Sequence, residues 1–144
     1  RAAGLSLTPQ RIAIARALAG SAAHPRAEAI YKGLKPDFPS LSLATVHRTL
    51  ETLCRIGEAN KVTPLHVSPR YDGNTAPHQH LICVSCRRIV DVALPQMTDP
   101  LDGATHIGDY QVVGCAIDIH VLCNACREAG QATPPPHSPD AAND

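Results

Sequence analysis

Four cysteines in two Cys-x-x-Cys pairs are the residues whose spacing most clearly predicts chemistry. Cys83 and Cys86 form the first pair, and Cys123 and Cys126 form the second. Each such turn directs two thiolates at one ion, and four sulfur ligands in a tetrahedral arrangement suit zinc. The alternatives are two redox-active pairs or chance spacing of buried cysteines, but one redox pair at the start of a helix normally suffices. The pattern therefore predicts a structural zinc site.

A second set of candidate metal ligands lies around the first cysteine pair. His78 and His80 are two residues apart, so both imidazoles point to the same face of an extended strand. Asp72 precedes them and Asp91 follows them. Imidazole together with carboxylate suits iron(II), manganese or zinc with five or six ligands. The alternative is a solvent-facing strand edge that binds no metal.

Charge is unevenly distributed along the 144 residues, although the net charge is zero. Residues 1–71 carry ten lysines and arginines against four acidic residues, whereas residues 72–144 carry three against nine. A basic half joined to an acidic, ligand-rich half predicts a nucleic-acid-binding part coupled to a cation site. Because we find neither a run of about 18 apolar residues nor an apolar leader, we expect a soluble, cytoplasmic protein with no membrane partner.

Capping residues and apolar spacing predict three helices, followed by two strand-like runs at 58–63 and 66–72. The helices are expected to begin after Thr8, His24 and Ser42 and to end at Gly20, Pro36 and Gly57. In the third helix Val46, Leu50 and Leu53 are expected to face inward. This order favours a winged helix-turn-helix whose third helix enters the major groove of DNA. An ordinary helical bundle with a hairpin is the alternative.

The second half alternates strand-like runs with turns after a candidate hinge at residues 73–77. Strands are expected at residues 78–84, 89–94 and 110–122. Pro100 and Gly103 disfavour a helix in the intervening segment 95–105, and a short helix is expected after Asn124. The proline-rich residues 131–144 are poor in apolar side chains, which predicts a disordered tail.

Several segments, taken in order, resemble the ferric uptake regulator (Fur) family: LTPQR, HPRAEAIYKGL, LSLATVHRTLETL, HQHLICVSC and CNAC. Within that family the sequence is most similar to the peroxide-sensing PerR branch. The resemblance implies an α+β fold, with a winged helix-turn-helix DNA-binding domain (1–72), the hinge, and a small α/β dimerisation domain with structural zinc (78–130). It also implies a homodimeric repressor that binds double-stranded operator DNA when a regulatory metal is bound.

The resemblance further assigns site residues by position. The four paired cysteines would bind zinc, and the regulatory iron(II) or manganese(II) would be held by His24, Asp72, His78, His80 and Asp91. His24 or His78 would be oxidised by hydrogen peroxide when iron is bound. The candidate DNA contacts are Arg11, Arg16, Thr45, His47 and Arg48. The alternative is a Fur-type repressor of iron, manganese, zinc or nickel uptake without peroxide chemistry.

Some positions distinguish this chain within the family. Asp91 stands where iron-sensing relatives tend to carry glutamate, and His47 stands where the family usually has tyrosine. A third metal site of several relatives is expected to be absent, because its positions read Pro77, Gln79 and Leu122. Cys54 is expected to be a core residue of the third helix and Cys115 a strand residue. A small metalloenzyme and a zinc-ribbon interaction module are the competing function classes.

Overall fold

A computed structural model describes residues 6–63, 67–97, 101–113 and 115–130. The chain separates into two units between Pro77 and His78. The tail predicted at residues 131–144 lies outside the described residues. Among the described helices, none is long and apolar enough to cross a membrane.

The first unit consists of three helices and a two-stranded antiparallel sheet. Its elements are α1 (Pro9–Ala19), α2 (Ala27–Leu34), α3 (Leu43–Arg55), β1 (Asn60–Val62) and β2 (Arg70–Asp72). The predicted caps are confirmed, since the side chains of Thr8 and Ser42 accept hydrogen bonds from the first turns of α1 and α3. The strands are shorter than predicted and pair Asn60 with Asp72.

The helices of this unit pack around α3, which presents one apolar stripe to the core. Val46, Leu50 and Leu53 are buried, as predicted from their spacing. They meet buried residues of the other elements: Ile14, Leu18, Ile30 and Tyr71. Burying a side chain of this size contributes about 1.5–3 kcal/mol, so the core stabilises the helices far more than their propensities do.

The second unit is organised around strand β3. Its elements are β3 (Gln79–Cys83), β4 (Ile89–Val92), β5 (His106–Ile107), β6 (Tyr110–Gln111), β7 (Asp118–Val121) and α4 (Asn124–Glu128), with one 3₁₀ turn at Pro95–Met97. β3 lies between β4, with which it pairs antiparallel, and β7, with which it pairs parallel. The short helix expected after Asn124 is confirmed.

The expectation of one strand over residues 110–122 is wrong. β6 turns back on β5 through Gly108, whose φ of 56° suits a residue without Cβ, whereas β7 pairs with β3. Cys115 lies between these two strands and is exposed, so it is not a strand residue. In the described part of the segment 95–105, the only helical element is the 3₁₀ turn at Pro95–Met97. Cys54 packs against the core of the first unit, as expected.

Candidate functional site

The four paired cysteines converge in the second unit. Their sulfur atoms all lie within 4.8 Å of one another. The Sγ atoms of Cys86 and Cys123 are 3.8 Å apart, and zinc–sulfur bonds of about 2.3 Å place two tetrahedral ligands about 3.8 Å apart. All six cysteines are described, and each is a free thiol. Geometry and donor chemistry therefore both fit a structural zinc ion.

Strand pairing and one tight turn bring these cysteines together. Cys83 ends β3 opposite Val121 of β7, so the chain reaches Cys123 and the start of α4 beside it. The first pair closes through a hydrogen bond of 2.9 Å from the Arg87 backbone N–H to the Cys83 carbonyl. Arg87 has a φ of 62°, a conformation unusual for a residue with a side chain, which turns the chain back towards β4.

The thiols of this cluster differ in their affinity for protons. Burial raises the pKa of Cys83, but hydrogen bonds from backbone N–H groups, first that of Cys123, outweigh burial and lower the pKa to about 6. For Cys126 a hydrogen bond from Ser85 lowers the pKa, yet contacts with neighbouring thiols and burial raise it to about 11. Cys83 is therefore the thiol of this pair that loses its proton more readily, and metal binding must displace the proton of Cys126.

His78, His80 and Asp91 form a compact donor group in the same unit. The Nε2 atoms of the two histidines are 3.0 Å apart. Oδ1 of Asp91 lies 3.5 Å from Nε2 of His78 and 3.8 Å from Nε2 of His80. Bonds of about 2.1 Å to a common ion place neighbouring ligand atoms about 3–3.5 Å apart. Two imidazoles and one carboxylate in this arrangement fit part of a site for iron(II) or manganese.

His24 and Asp72 are neighbours in the first unit and are both almost completely buried. Nε2 of His24 lies 4.0 Å from Oδ1 of Asp72. The same oxygen accepts a hydrogen bond of 2.8 Å from the backbone N–H of Asn74. Burying an imidazole and a carboxylate is costly unless these groups are hydrogen-bonded, paired with an opposite charge or bound to a metal.

The loop carrying His24 is held against β2 by the two residues before Asp72. The Arg70 guanidinium donates hydrogen bonds to the carbonyls of Ala23 (3.3 Å) and His24 (3.2 Å). The Tyr71 backbone N–H donates to the Pro25 carbonyl at 3.0 Å. These bonds hold His24 at a φ of 48°, which L-amino acids adopt at an energetic cost of about 1–3 kcal/mol. Strain of this kind is concentrated at functional sites.

Gly73 allows the end of β2 to approach helix α1 closely. A Cβ atom at this position would lie 3.0 Å from both the Cα atom of Ala19 and the carbonyl oxygen of Leu18. Both are backbone atoms, which cannot move aside as a flexible side chain can. The absence of a side chain at Gly73 therefore sets the position of the adjacent Asp72.

The candidate DNA-contacting residues lie on α1 and α3. Some of their side chains already form hydrogen bonds within the protein. Arg16 and Arg48 are exposed. Arg11 donates two hydrogen bonds to Ser6, at 2.8 Å and 2.9 Å. The Thr45 hydroxyl lies 2.9 Å from that of Ser42, the N-cap of α3.

His47, the residue in place of the usual family tyrosine, is half-exposed on α3. Its Nε2 lies 3.8 Å from Oε1 of Glu28 on α2, and both side chains are more than two-fifths exposed (44% and 59%). A contact this exposed contributes at most about 1 kcal/mol, so Glu28 does little to fix the position of the His47 ring.

Gln79 occupies one of the three positions whose residues led us to expect that the third metal site is absent. Its side chain has a structural role. Its buried side chain donates a hydrogen bond of 3.1 Å to the Met97 carbonyl and accepts one of 2.8 Å from the Leu94 backbone N–H. The side chain thus ties the 3₁₀ turn to β3.

Two acidic residues, one in each unit, were not identified from the sequence as partners of the strands that carry candidate ligands. Asp118 of β7 lies 3.2 Å from Nδ1 of His80, and Glu51 of α3 accepts hydrogen bonds from Tyr71 and Lys61, both at 2.8 Å. Asp118 is 38 residues from His80, and only the pairing of β3 with β7 brings them together. Glu51 is 20 residues from Tyr71, so its spacing along α3 did not reveal this contact.

Comparison with known proteins agrees with this architecture and donor chemistry. The model of the ferric uptake regulator family matches residues 2–120. The chain belongs to this family. Membership makes it a metal-dependent repressor of the Fur and PerR type rather than an enzyme, and confirms the resemblance seen in the sequence.

Individual relatives of the ferric uptake regulator family are similar over most of their length. The peroxide-responsive repressor PerR of Staphylococcus epidermidis is 40% identical over 130 residues, which cover 90% of this chain and 87% of the relative. The structure of the Helicobacter pylori ferric uptake regulator matches with a TM-score of 0.71 at 22% identity, covering 86% of this chain and 83% of that one. The Campylobacter jejuni peroxide stress regulator matches with a TM-score of 0.64 at 26% identity, covering 82% and 89%.

Proposed function

We propose that this protein is a homodimeric repressor that binds operator DNA with a regulatory metal bound and releases it when hydrogen peroxide oxidises a ligand histidine. The observation that carries the proposal is the donor group of His78, His80 and Asp91, whose ligand atoms lie 3.0–3.8 Å apart. The 40% identity to a peroxide-responsive repressor supports the choice of signal.

The proposed regulatory site combines this donor group with His24 and Asp72. Three imidazoles and two carboxylates suit iron(II) or manganese(II), which accept five or six nitrogen and oxygen ligands. We assign the winged-helix domain to residues 1–72, the hinge to 73–77 and the dimerisation domain to 78–130. Ligands from both sides of the hinge would let the metal favour one relative orientation of the domains, which is how a ligand shifts a conformational equilibrium.

Operator binding is assigned to the basic N-terminal half. Helix α3 would enter the major groove, with Thr45, His47 and Arg48 towards the bases and phosphates. Arg11 and Arg16 of α1 would contact the sugar–phosphate backbone of the DNA. A homodimer would read two half-sites about one helical turn apart, and raising the salt concentration should weaken the complex steeply. Such a repressor would act in the cytoplasm.

Peroxide sensing is assigned to the ligand histidines His24 and His78. Bound iron(II) would supply the redox chemistry that activates hydrogen peroxide beside the imidazoles. One peroxide oxygen would replace a ring hydrogen as hydroxyl, and the other would leave as water. The modified ring is a poorer ligand, so the metal would no longer be held by ligands from both domains. The operator would then be released.

The experiment is a gel-shift titration of the zinc-containing protein with and without manganese(II). We expect manganese to tighten operator binding, and His24→Ala to remove this response while zinc content and fold are retained. His106→Ala is the matched control, because His106 is an exposed histidine of β5 outside the donor group. Manganese-dependent binding by His24→Ala would refute the ligand assignment. Operator binding that is indifferent to metal in the unaltered protein would refute the proposed function.

A further inference from the structure

We propose that Asp118 is a positioning residue of the regulatory metal centre: its carboxylate holds the His80 imidazole in the tautomer and orientation that leave Nε2 for the metal. The inference rests on the proposed function, which makes His80 a metal ligand. It adds to the site a residue outside the five proposed ligands.

Strand register places His80 between two carboxylates. On one side β4 sets Asp91 opposite His80, and on the other side β7 sets Asp118 opposite it. Cross-strand neighbours in one row of a sheet lie on the same face, so the three side chains form a row across β4, β3 and β7. His80 is only 6% exposed, and its ring is thus confined by the sheet as well as by these neighbours.

The two nitrogens of His80 have different surroundings. Nδ1 lies 3.2 Å from Oδ1 of Asp118. Nε2, on the opposite edge of the ring, lies 3.0 Å from Nε2 of His78 and 3.8 Å from Oδ1 of Asp91. Asp118 therefore faces the nitrogen that points away from the donor group, which makes it a partner of the ligand rather than a ligand.

A hydrogen bond at Nδ1 determines whether Nε2 carries a proton or a lone pair that can bind a metal. A neutral imidazole carries one N–H, and a carboxylate can only accept, so Asp118 favours the proton on Nδ1. Nε2 is then left with a lone pair directed at His78 and Asp91. A carboxylate partner also fixes the ring orientation of a ligand imidazole, and removing such partners typically lowers metal affinity about 10- to 100-fold.

The test compares Asp118→Ala and Asp118→Asn with Asp109→Ala, an exposed aspartate in the β5–β6 turn. Manganese(II) affinity is measured by calorimetry on the zinc-loaded protein of 144 residues. We expect Asp118→Ala to weaken binding about 10- to 100-fold and Asp118→Asn to restore part of the affinity, since its amide oxygen still accepts from Nδ1. Zinc content should be unchanged throughout, and Asp109→Ala should bind as the unaltered protein does.

A second measurement detects the tautomer itself. Long-range proton–nitrogen NMR of the protein without regulatory metal should show the His80 proton on Nδ1, and Asp118→Ala should shift it towards Nε2. Unchanged tautomer populations, or a manganese affinity within about twofold of the unaltered protein, would overturn the inference. Asp91→Ala distinguishes failure of the proposed function from failure of the inference about Asp118. If Asp91→Ala also leaves the manganese(II) affinity unchanged, the proposed function fails. If it abolishes binding while Asp118→Ala has no effect, only the inference about Asp118 fails.

Discussion

The Tyr71 hydroxyl donates a hydrogen bond of 2.8 Å to Oε1 of Glu51, joining the strand that ends at Asp72 to helix α3. The same oxygen accepts from Lys61 of β1 at 2.8 Å. These two donors, Lys61 first, lower the pKa of the Glu51 carboxyl, although burial works against them. Burial and the Glu51 carboxylate in turn raise the pKa of Tyr71. One carboxylate thus links both strands of the hairpin to the proposed recognition helix.

Replacing Tyr71 with phenylalanine should weaken this link without emptying the core. We expect the free energy of unfolding to fall by about 1–2 kcal/mol, because a hydrogen bond to a charged acceptor is lost while the ring remains. The increase in operator affinity caused by manganese should also become smaller, since Asp72 is less firmly tied to α3. Urea denaturation and gel-shift titration measure the two effects. Tyr31→Phe, which alters a half-buried tyrosine of α2, is the control; equal effects of both variants would contradict the link.

Replacing one of the four proposed zinc ligands should destabilise the fold of the second unit. Cys83→Ser or Cys123→Ser is expected to lose zinc and to unfold or become monomeric, because binding of structural zinc contributes directly to folding free energy. Elemental analysis and size-exclusion chromatography measure the outcome. Cys115→Ser, which changes an exposed thiol outside the cluster, should keep both zinc and assembly state. A soluble, dimeric, metal-free Cys83→Ser protein would rule out the structural role.

A methyl group at residue 73 should disturb the region beside Asp72. Gly73→Ala places Cβ 3.0 Å from backbone atoms of α1, so the end of β2 or of α1 must move. We expect a loss of about 1–3 kcal/mol in stability, as for other overpacked sites, together with weaker manganese binding.

Gly33→Ala provides the opposite expectation, because a Cβ at Gly33 meets nothing within 4 Å. Alanine in a helix is favoured over glycine by about 1 kcal/mol, so this variant should be neutral or slightly more stable. Thermal denaturation of both variants gives the comparison. A Gly73→Ala protein as stable as Gly33→Ala would show that the close approach at Gly73 is not required.

Peroxide should modify a ligand histidine only when iron is bound. After a brief, near-stoichiometric pulse of hydrogen peroxide, mass spectrometry of the iron form should find one added oxygen on the peptide containing His24 or His78. The manganese form is the control and should gain none. If the iron form gains no oxygen and still binds operator DNA after the pulse, a Fur-type metal-uptake repressor becomes the better assignment. An oxygen confined to Cys54 or Cys115 would instead indicate a thiol switch.

Local patterns in the sequence were sufficient to predict three helices in the first unit and the grouping of the four paired cysteines, although α2 begins at Ala27 rather than directly after His24. Thr8 and Ser42 cap their helices through side chains only three residues from the amides that they bind, and the apolar stripe of α3 follows from helical periodicity. The paired cysteines were recognisable because zinc turns need a short, fixed spacing. The donor pair His78 and His80 was predicted from strand alternation alone.

Tertiary structure decided the features that depend on pairing between distant segments. The segment 110–122 has apolar residues throughout, and only the competing partners β5 and β3 divide it into two strands. Asp118 stands beside His80 because of a parallel register, and no short turn joins β3 to β7 that could fix this register locally. The same reason applies to Glu51 and Tyr71, which are 20 residues apart. Residue types therefore determine which ligands the chain offers, and long-range register determines how those ligands are held.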